Sequence, residues 1–317
     1  VFFGLRRPWH FLRCCAPWAF GVCVIGQNFE TLHSTGQCLT AQRRAYIGGI
    51  SIQGFFVTLA ALPSLFVSHG APLFAVEHGT TGPALHDWGT QLPADLRGVV
   101  IMSPHWMSRG PAVMTTAQPT TWHDFGGFPP ALYELHYPAP GNPAIAQEVI
   151  ELLAAAGIQA QPDDKRPFDH GAWVPLMHLL PQANVPVVQV ALPVGAGPRE
   201  VYALGAALAS LRDKGILVVG SGSMTHNLGE FFGGGREVSP YVLEFSRWIE
   251  TKLVAGDLEA LFNYRSQAPH AQRAHPSEDH FLPLFFALGA AGTTARPDYL
   301  SREVMYSMLA MDAFTLQ

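Results

Sequence analysis

From Leu62 onward, short apolar runs closed by turn formers alternate with longer amphipathic stretches. SLFVSHG (64–70), RGVVIMSPHW (97–106), VPVVQVALP (185–193) and ILVVGSGSMTHN (216–227) are nearly continuous in apolar residues. That pattern predicts strands buried on both faces, as in a parallel sheet, because a half-exposed strand would alternate polar and apolar positions. NPAIAQEVIELLAAAG (142–157) predicts a helix, with Asn as N-cap, Pro at the first helical position and Gly after the end. PREVYALGAALASLRDKG (198–215), SPYVLEFSRWIETKLVAG (239–256) and EDHFLPLFFALGAAG (278–292) also read as helices, the first with small and apolar residues on one face. Strands alternating with helices predict an α/β fold, a mostly parallel central sheet flanked by helices. No repeat period or low-complexity linker follows residue 60, so residues 61–317 read as one domain.

Residues 1–60 do not share this pattern. They hold the Arg6-Arg7 and Arg43-Arg44 pairs, carry Glu30 as their only acidic residue and show no sustained period. Two readings fit: a targeting segment, or upstream sequence translated from a misplaced start, with Val57 as a non-standard initiator. The second is favoured because PWHFLRCCAPW lacks a clean apolar core and a small-residue cleavage site. On either reading the segment is an N-terminal extension outside the fold, and residues 1–56 are expected to be dispensable.

Composition narrows the function. Only 14% of the 317 residues are charged and the net charge is −5, with no basic block carrying interleaved aromatics, so nucleic acid is not an expected partner. No apolar run of about 18 residues is free of charges and turn formers, which argues against a membrane span. A soluble, cytoplasmic protein is expected. The four cysteines (Cys14, Cys15, Cys23, Cys38) all lie in the first 38 residues. A disulfide framework or thiolate metal site is therefore excluded from the main body, and any metal there must be held by His, Asp or Glu. The strings GSGS (220–223) and GGG (233–235) lack the Lys-Ser/Thr or full GxGxxG of a phosphate cradle.

Histidine is the residue that stands out, with 14 copies in a weakly charged chain. His69, His105 and His226 each terminate a predicted strand, and His280 falls in the first turn of a predicted helix behind Glu278 and Asp279. Ligands in open α/β sheets bind beyond the carboxyl ends of strands. One such His is most simply a hydrogen-bonded core or loop residue; three at separate strand ends point to a shared metal site. Imidazole suits Zn, Fe, Cu and Ni, and two His plus a third ligand with open positions is the non-haem Fe(II) pattern. The residues alone take the reading to a metal site in a strand-end cleft and no further.

The segments SHGAP (68–72), SPHW (103–106), HDFGGFPPALYELHYPAPG (123–141), FDHGAWVPL (168–176), GSGSMTHNL (220–228) and EDHFLPL (278–284) occur in that order. Together they resemble the class III extradiol ring-cleaving dioxygenases, and within them the branch acting on DOPA and related catechols. HDFGGFP followed by HYPAPG is the most specific part, and the resemblance covers residues 62–317. It implies a single α/β domain and a ferrous ion, Fe(2+), with Zn(2+) often found bound in this branch. His69 and His105 match the two N-terminal ligand positions and His280 the third. Better-known members have a carboxylate at that third position, so Asp279 or Glu278 remains open as an oxygen ligand. His226 matches either a fourth ligand or the acid/base histidine. His170 and His123 match substrate-pocket positions, and His170 could also move the proton. Trp106, Phe125, Phe128 and Trp173 flank these histidines and either wall an aromatic pocket or pack in the core. His78, His86, His136, His178, His270 and His275 read as surface or packing residues.

The implied reaction inserts both atoms of O₂ beside the two hydroxyls of a small aromatic diol. It needs three adjacent free positions at the metal, two for the diol and one for O₂, and a nearby histidine to move protons. Two other classes compete: a zinc hydrolase, which would activate water without O₂, and a non-catalytic binding protein on the same scaffold.

Overall fold

Apolar runs too short for helices and too continuous for half-exposed strands build the centre of the sheet. In the computed structural model these are β1 (Ser64–Ser68), β2 (Gly98–Ser108), β5 (Val187–Pro193) and β6 (Ile216–Gly222). The structure describes residues 44–47, 50–53, 61–231 and 237–317. The four strands lie side by side and parallel in the order β5-β2-β6-β1. Parallel neighbours align their C-terminal ends, and this is why histidines distant in sequence gather along one edge. Two shorter strands, β3 (Ala112–Met114) and β4 (Gln161–Asp163), extend the sheet beyond β5. On the other side β8 (Ala313–Leu316) pairs antiparallel with β1, and β7 (Pro297–Ser301) closes that edge.

The helices are α1 (Thr81–Gly89), α2 (Pro143–Ala155), α3 (His170–Leu179), α4 (Pro198–Ala207), α5 (Pro240–Ala255) and α6 (Pro283–Ala291), with shorter turns between them. Asn142 caps α2 as expected, its side chain accepting from the amides of Ala144 and Ile145. α6 is apolar on every side and buried through Pro283–Ala290, as a helix between a sheet and a second helix must be. It approaches α4 so closely that a Cβ on Gly205 would lie 2.0 Å from the Phe286 carbonyl, and one on Gly289 2.1 Å from that of Tyr202. The small-residue face read in the sequence is this contact.

Two helices differ from their predicted extents. The stretch 198–215 is α-helical only to Ala207, then tightens to a 3₁₀ segment at Ala209–Lys214. The tightening brings Arg212 onto the terminal carbonyls of α6 at Ala290 and Ala291. The stretch 278–292 begins its helix at Pro283, with residues 278–282 in turns. Proline brings a φ suited to the first helical position but no N–H for a preceding turn, so His280 sits just ahead of the helix.

The chain divides into two compact units, Val1–Val57 and Thr58–Gln317. In the first, Arg44–Ile47 pairs antiparallel with Ile50–Gln53. The rest of the expected extension, including Val57, lies outside the described residues. No helix among the described residues is long and apolar enough to cross a membrane.

Between the hairpin of Val304–Met305 with Leu309–Ala310 and β8 sits Asp312, 5% exposed. Burial pushes its carboxyl up to about 7, against the pull of Arg302, which is engaged by Glu250. A carboxyl with a raised folded-state value favours the folded state least when ionised. Its contribution therefore declines as pH rises from about 4 to 7 and is flat above. Asp312→Asn should raise stability at pH 8 by roughly 2–4 kcal/mol and leave it little changed at pH 4. Urea melts at the two pH values read the difference; an equal effect at both would show that ionisation is not the cause.

Candidate metal centre and substrate cavity

β2 supplies the first irregularity that builds the site. Its pairing with β5 runs Ser103 to Ala191 and then Met107 to Leu192, so Pro104-His105-Trp106 bulges out of the ladder. A bulge tolerates the proline and re-aims the side chain that follows it, and His105 turns toward the strand ends. His69 follows β1 directly, its amide donating to the Gly222 carbonyl at the end of β6. Beyond Gly222, the Ser223 amide donates to the His280 carbonyl at 2.7 Å. A side chain on Gly222 would displace that carbonyl, lying 2.3 Å from it. The end of β6 thus ties His69 and His280 together.

The Nε2 atom of His105 lies 3.2 Å from that of His69 and 3.3 Å from that of His280. Their partners on the far side of each ring fix the tautomers. Ser221 Oγ donates its single proton to the Gly171 carbonyl, so it can only accept from His69 Nδ1, 3.0 Å away. That carbonyl is available because Pro175, four residues on in α3, has no N–H to offer it. His280 Nδ1 donates to Asp279 Oδ2 at 2.6 Å, and His105 Nδ1 faces Asp124 Oδ2 at 3.5 Å. With Nδ1 protonated in all three, the bare Nε2 lone pairs of His69 and His280 both stand against that of His105. Nothing in that arrangement is attractive without a cation. Imidazole nitrogens each roughly 2.0–2.1 Å from one ion stand about 2.8–3.0 Å apart in octahedral and about 3.3–3.4 Å apart in tetrahedral geometry, a range that brackets the separations found. Burial lowers the proton affinity of all three, His105 to about 4, so each presents a neutral imidazole.

His170 is a fourth imidazole beside this set. Single ring nitrogens of His170, His69 and His105, one from each, lie within 4.8 Å of one another, and the His170 ring centroid is 3.9 Å from that of His105. Taking His280 in place of His170 gives a second, overlapping trio, in which His105 Nε2 has neighbours at 3.2 and 3.3 Å. Gly171 lets α3 approach: a Cβ there would lie 2.2 Å from Ser103 Oγ and 2.9 Å from the His105 ring. His226 stacks on His280 with centroids 3.6 Å apart and planes within 4° of parallel. A ligand lone pair lies in its ring plane, and stacked parallel planes share no point, so these two rings cannot both aim at one ion. Burial lowers His226 to about 4.

The carboxylates left open as oxygen ligands face elsewhere. Asp279 orients His280 from behind, and Glu278 accepts from the Tyr264 hydroxyl at 2.9 Å. The carboxylate the sequence reading missed is Asp124, inside HDFGGF. Its Oδ1 accepts from both the amide and Nδ1 of His170, at 2.8 and 3.0 Å, while Oδ2 faces His105. Burial would raise this carboxyl, but its bonds from His170 hold it below the ordinary value. Asp124→Asn would present an amide N–H to His105 Nδ1, driving that ring to the tautomer with its proton on Nε2. Metal affinity should then fall by about 10–100-fold with the fold retained. Metal titration of the variant checks this; unchanged affinity would mean Asp124 does not set the His105 tautomer.

A cavity of about 600 Å³ opens over the cluster, lined by His105, His170, His226 and His280 together with Phe125, Phe128 and other mostly apolar groups. Of the aromatics read as pocket walls, Phe125 and Phe128 line it, while Trp106 and Trp173 do not and follow the core-packing alternative. His123, expected from the resemblance at a substrate-pocket position, does not line it either. Trp173 is fully buried, its Nε1 donating to the Trp122 carbonyl, and Trp106 packs against the Arg166 guanidinium. His123 donates to the Leu135 carbonyl at 3.0 Å, edge-on to Trp173, and supports Phe125 from behind. Arg166 in turn bonds Asp169, the N-cap of α3, and the His105 carbonyl.

Neutral imidazoles converging at the strand ends beneath an apolar cavity define a metal-binding enzyme site on an α/β scaffold. The chain belongs to the aromatic ring-opening dioxygenases: residues 65–312 match the family described as the catalytic LigB subunit of aromatic ring-opening dioxygenase. It is 37% identical over 240 residues to a 4,5-DOPA dioxygenase extradiol of Beta vulgaris, covering 75% of this chain and 90% of the relative. It is 36% identical over 245 residues to one of Escherichia coli K12, covering 75% and 89%. A crystal structure of an uncharacterized protein from Escherichia coli K12 superposes with a TM-score of 0.68 at 29% identity, covering 81% of this chain and all of that one. These relatives support the extradiol reading of the sequence and lend none to the hydrolase alternative.

Proposed function

We propose that the protein opens the ring of a DOPA-like catechol with O₂ by extradiol cleavage, at a ferrous ion held by His69, His105 and His280. The placement of His105 Nε2 at 3.2 Å from that of His69 and 3.3 Å from that of His280, under an apolar cavity, is the observation that carries this reading. Three neutral imidazoles suit iron or zinc equally as donors; iron is chosen because O₂ needs a redox partner to react with a closed-shell diol. Bound there, Fe(II) would supply that redox chemistry and adjacent positions for diol and gas.

The chain's own residues do the rest. Phe125 and Phe128 offer ring faces and edges to orient an aromatic substrate and exclude bulk water. His226 and His170 both line the cavity without needing to be ligands, and a catechol must shed protons before its oxygens can act as donors. His170 carries an Nδ1 hydrogen bond to Asp124, which orients its ring and leaves Nε2 as the atom able to take or give a proton. Both atoms of O₂ enter the product, a muconic semialdehyde, so no other oxidant is required.

The test is an assay of the iron-loaded protein on a panel of catechols, with and without O₂. A yellow ring-opened product that forms only with O₂ is expected. Hydrolysis proceeding without O₂, or catechols left intact by the loaded protein, would overturn the proposal.

A further inference from the structure

The cavity holds far more space than one six-membered ring fills, so its remaining lining must meet whatever the ring carries. Among the described residues that line it, Glu77 is the only Asp, Glu, Lys or Arg. Nearby cations are engaged elsewhere: Arg166 with Asp169, and Arg273 with Glu230. Glu77 lies at the exposed rim and is held there by a second element. The Tyr306 hydroxyl donates to Glu77 Oε2 from a turn closed by the Met308 amide on the Met305 carbonyl. The two central residues of that turn, Tyr306 and Ser307, both adopt left-handed conformations, with φ of +50° and +64°. Non-glycine residues take such angles at a cost and persist there when surrounding structure demands it. The outcome of this turn is a phenol aimed at one carboxylate, with Leu309 just after it lining the same cavity. Burial and the Glu77 charge raise the Tyr306 hydroxyl, which keeps it a donor. Phe125 and Phe128, ring centroids 5.4 Å apart, add aromatic surface to which a cation is also drawn.

We infer that Glu77, positioned by Tyr306, selects catechols whose side chain carries a positively charged amine over those with a neutral or anionic one. This rests on the ring-opening reading above and assigns that site its substrate class. Three catechols that share a two-carbon side chain and differ in the charge at its end test it: 4-(2-aminoethyl)catechol, 4-ethylcatechol and 3-(3,4-dihydroxyphenyl)propanoate. With the full-length, iron-loaded protein, kcat/KM should favour the amine over the ethyl compound by about five- to tenfold, chiefly through KM, with the propanoate last. Added salt should shrink the preference, since Glu77 is exposed. Glu77→Gln should bring the amine-to-ethyl ratio near one, and Tyr306→Phe should lower it part of the way. Calorimetric binding of the same three compounds without O₂ reads the charge order independently of turnover. Binding in the expected order with no ring opened would sink the ring-opening reading and keep the Glu77 assignment. A preference for the propanoate, or a ratio unchanged in Glu77→Gln, would overturn the assignment.

Discussion

His105→Ala should strip the protein of bound metal and, with it, of all ring-opening activity. Its Nε2 is the middle donor of the cluster, facing the other two at 3.2 and 3.3 Å, so its loss removes both of these close nitrogen contacts. It is also the cleanest of the three to remove. The His105 side chain is 22% exposed and stands on a bulge, whereas His69 is wholly buried against Ser221. Truncating His69 would leave that hydroxyl without its donor and open a hole in the sheet edge, mixing stability loss with metal loss. For His105→Ala the melting temperature measured without metal should stay near that of the parent. Metal affinity should fall by more than about 100-fold, beyond what loss of an orienting partner alone does. Metal analysis after dialysis gives the answer, and near-stoichiometric retention would remove His105 from the ligand set. The same measurement separates the two overlapping trios: His280→Ala should lose metal as His105→Ala does, and His170→Ala should keep it.

The parts of this centre that could be read in the sequence are those where chain direction and side-chain type coincide. β1, β2, β5 and β6 are buried on both faces, so their apolar runs are continuous, and a histidine directly after such a run lies at a parallel-sheet edge wherever the strands are ordered. α3 could not be read that way. HGAWVPLMHL is buried nearly all round and carries a glycine and a proline, so it shows neither an apolar stripe nor helix-forming composition. Both offending residues have their purpose in the tertiary structure, Gly171 admitting the histidine rings and Pro175 releasing a carbonyl to Ser221. The strands β3, β4, β7 and β8 have three to five residues, with Pro162 and Pro297 among them, and exist because a neighbour is present to pair with. Asp124 was hidden for a related reason: its partners, His105 and His170, are 19 and 46 positions away, and only the folded loop brings them to one carboxylate. The pocket walls were half legible, because flanking a motif histidine does not say which face of the motif is turned to the core.

Loss of the His226 imidazole should cost turnover and spare the metal. The stacked geometry is the ground for this: with planes within 4° of parallel to His280, the His226 ring cannot direct an in-plane lone pair at the ion His280 would hold. A fourth imidazole would also leave an octahedral ion two free positions, one too few for a chelating diol and O₂. The ring nevertheless lines the cavity, carried on a segment anchored by its own amide to the Ala274 carbonyl and by Thr225 Oγ1 to that of Met308. That is a fixed backbone with a side chain free to meet the substrate, the arrangement a proton-transfer group requires. His226→Ala and His226→Gln should bind Fe(II) and, without O₂, catechol about as well as the parent, while kcat falls by roughly 10²–10⁴-fold, the loss typical of removing a general acid or base. A structural role in supporting His280 would register differently, as weakened metal binding that Gln, lacking the flat ring, does not restore. Metal content and anaerobic catechol titration separate the two. If the His226 variants lose metal as badly as His105→Ala, His226 is a ligand after all, and proton transfer falls to His170, held ready by the two hydrogen bonds it donates to Asp124.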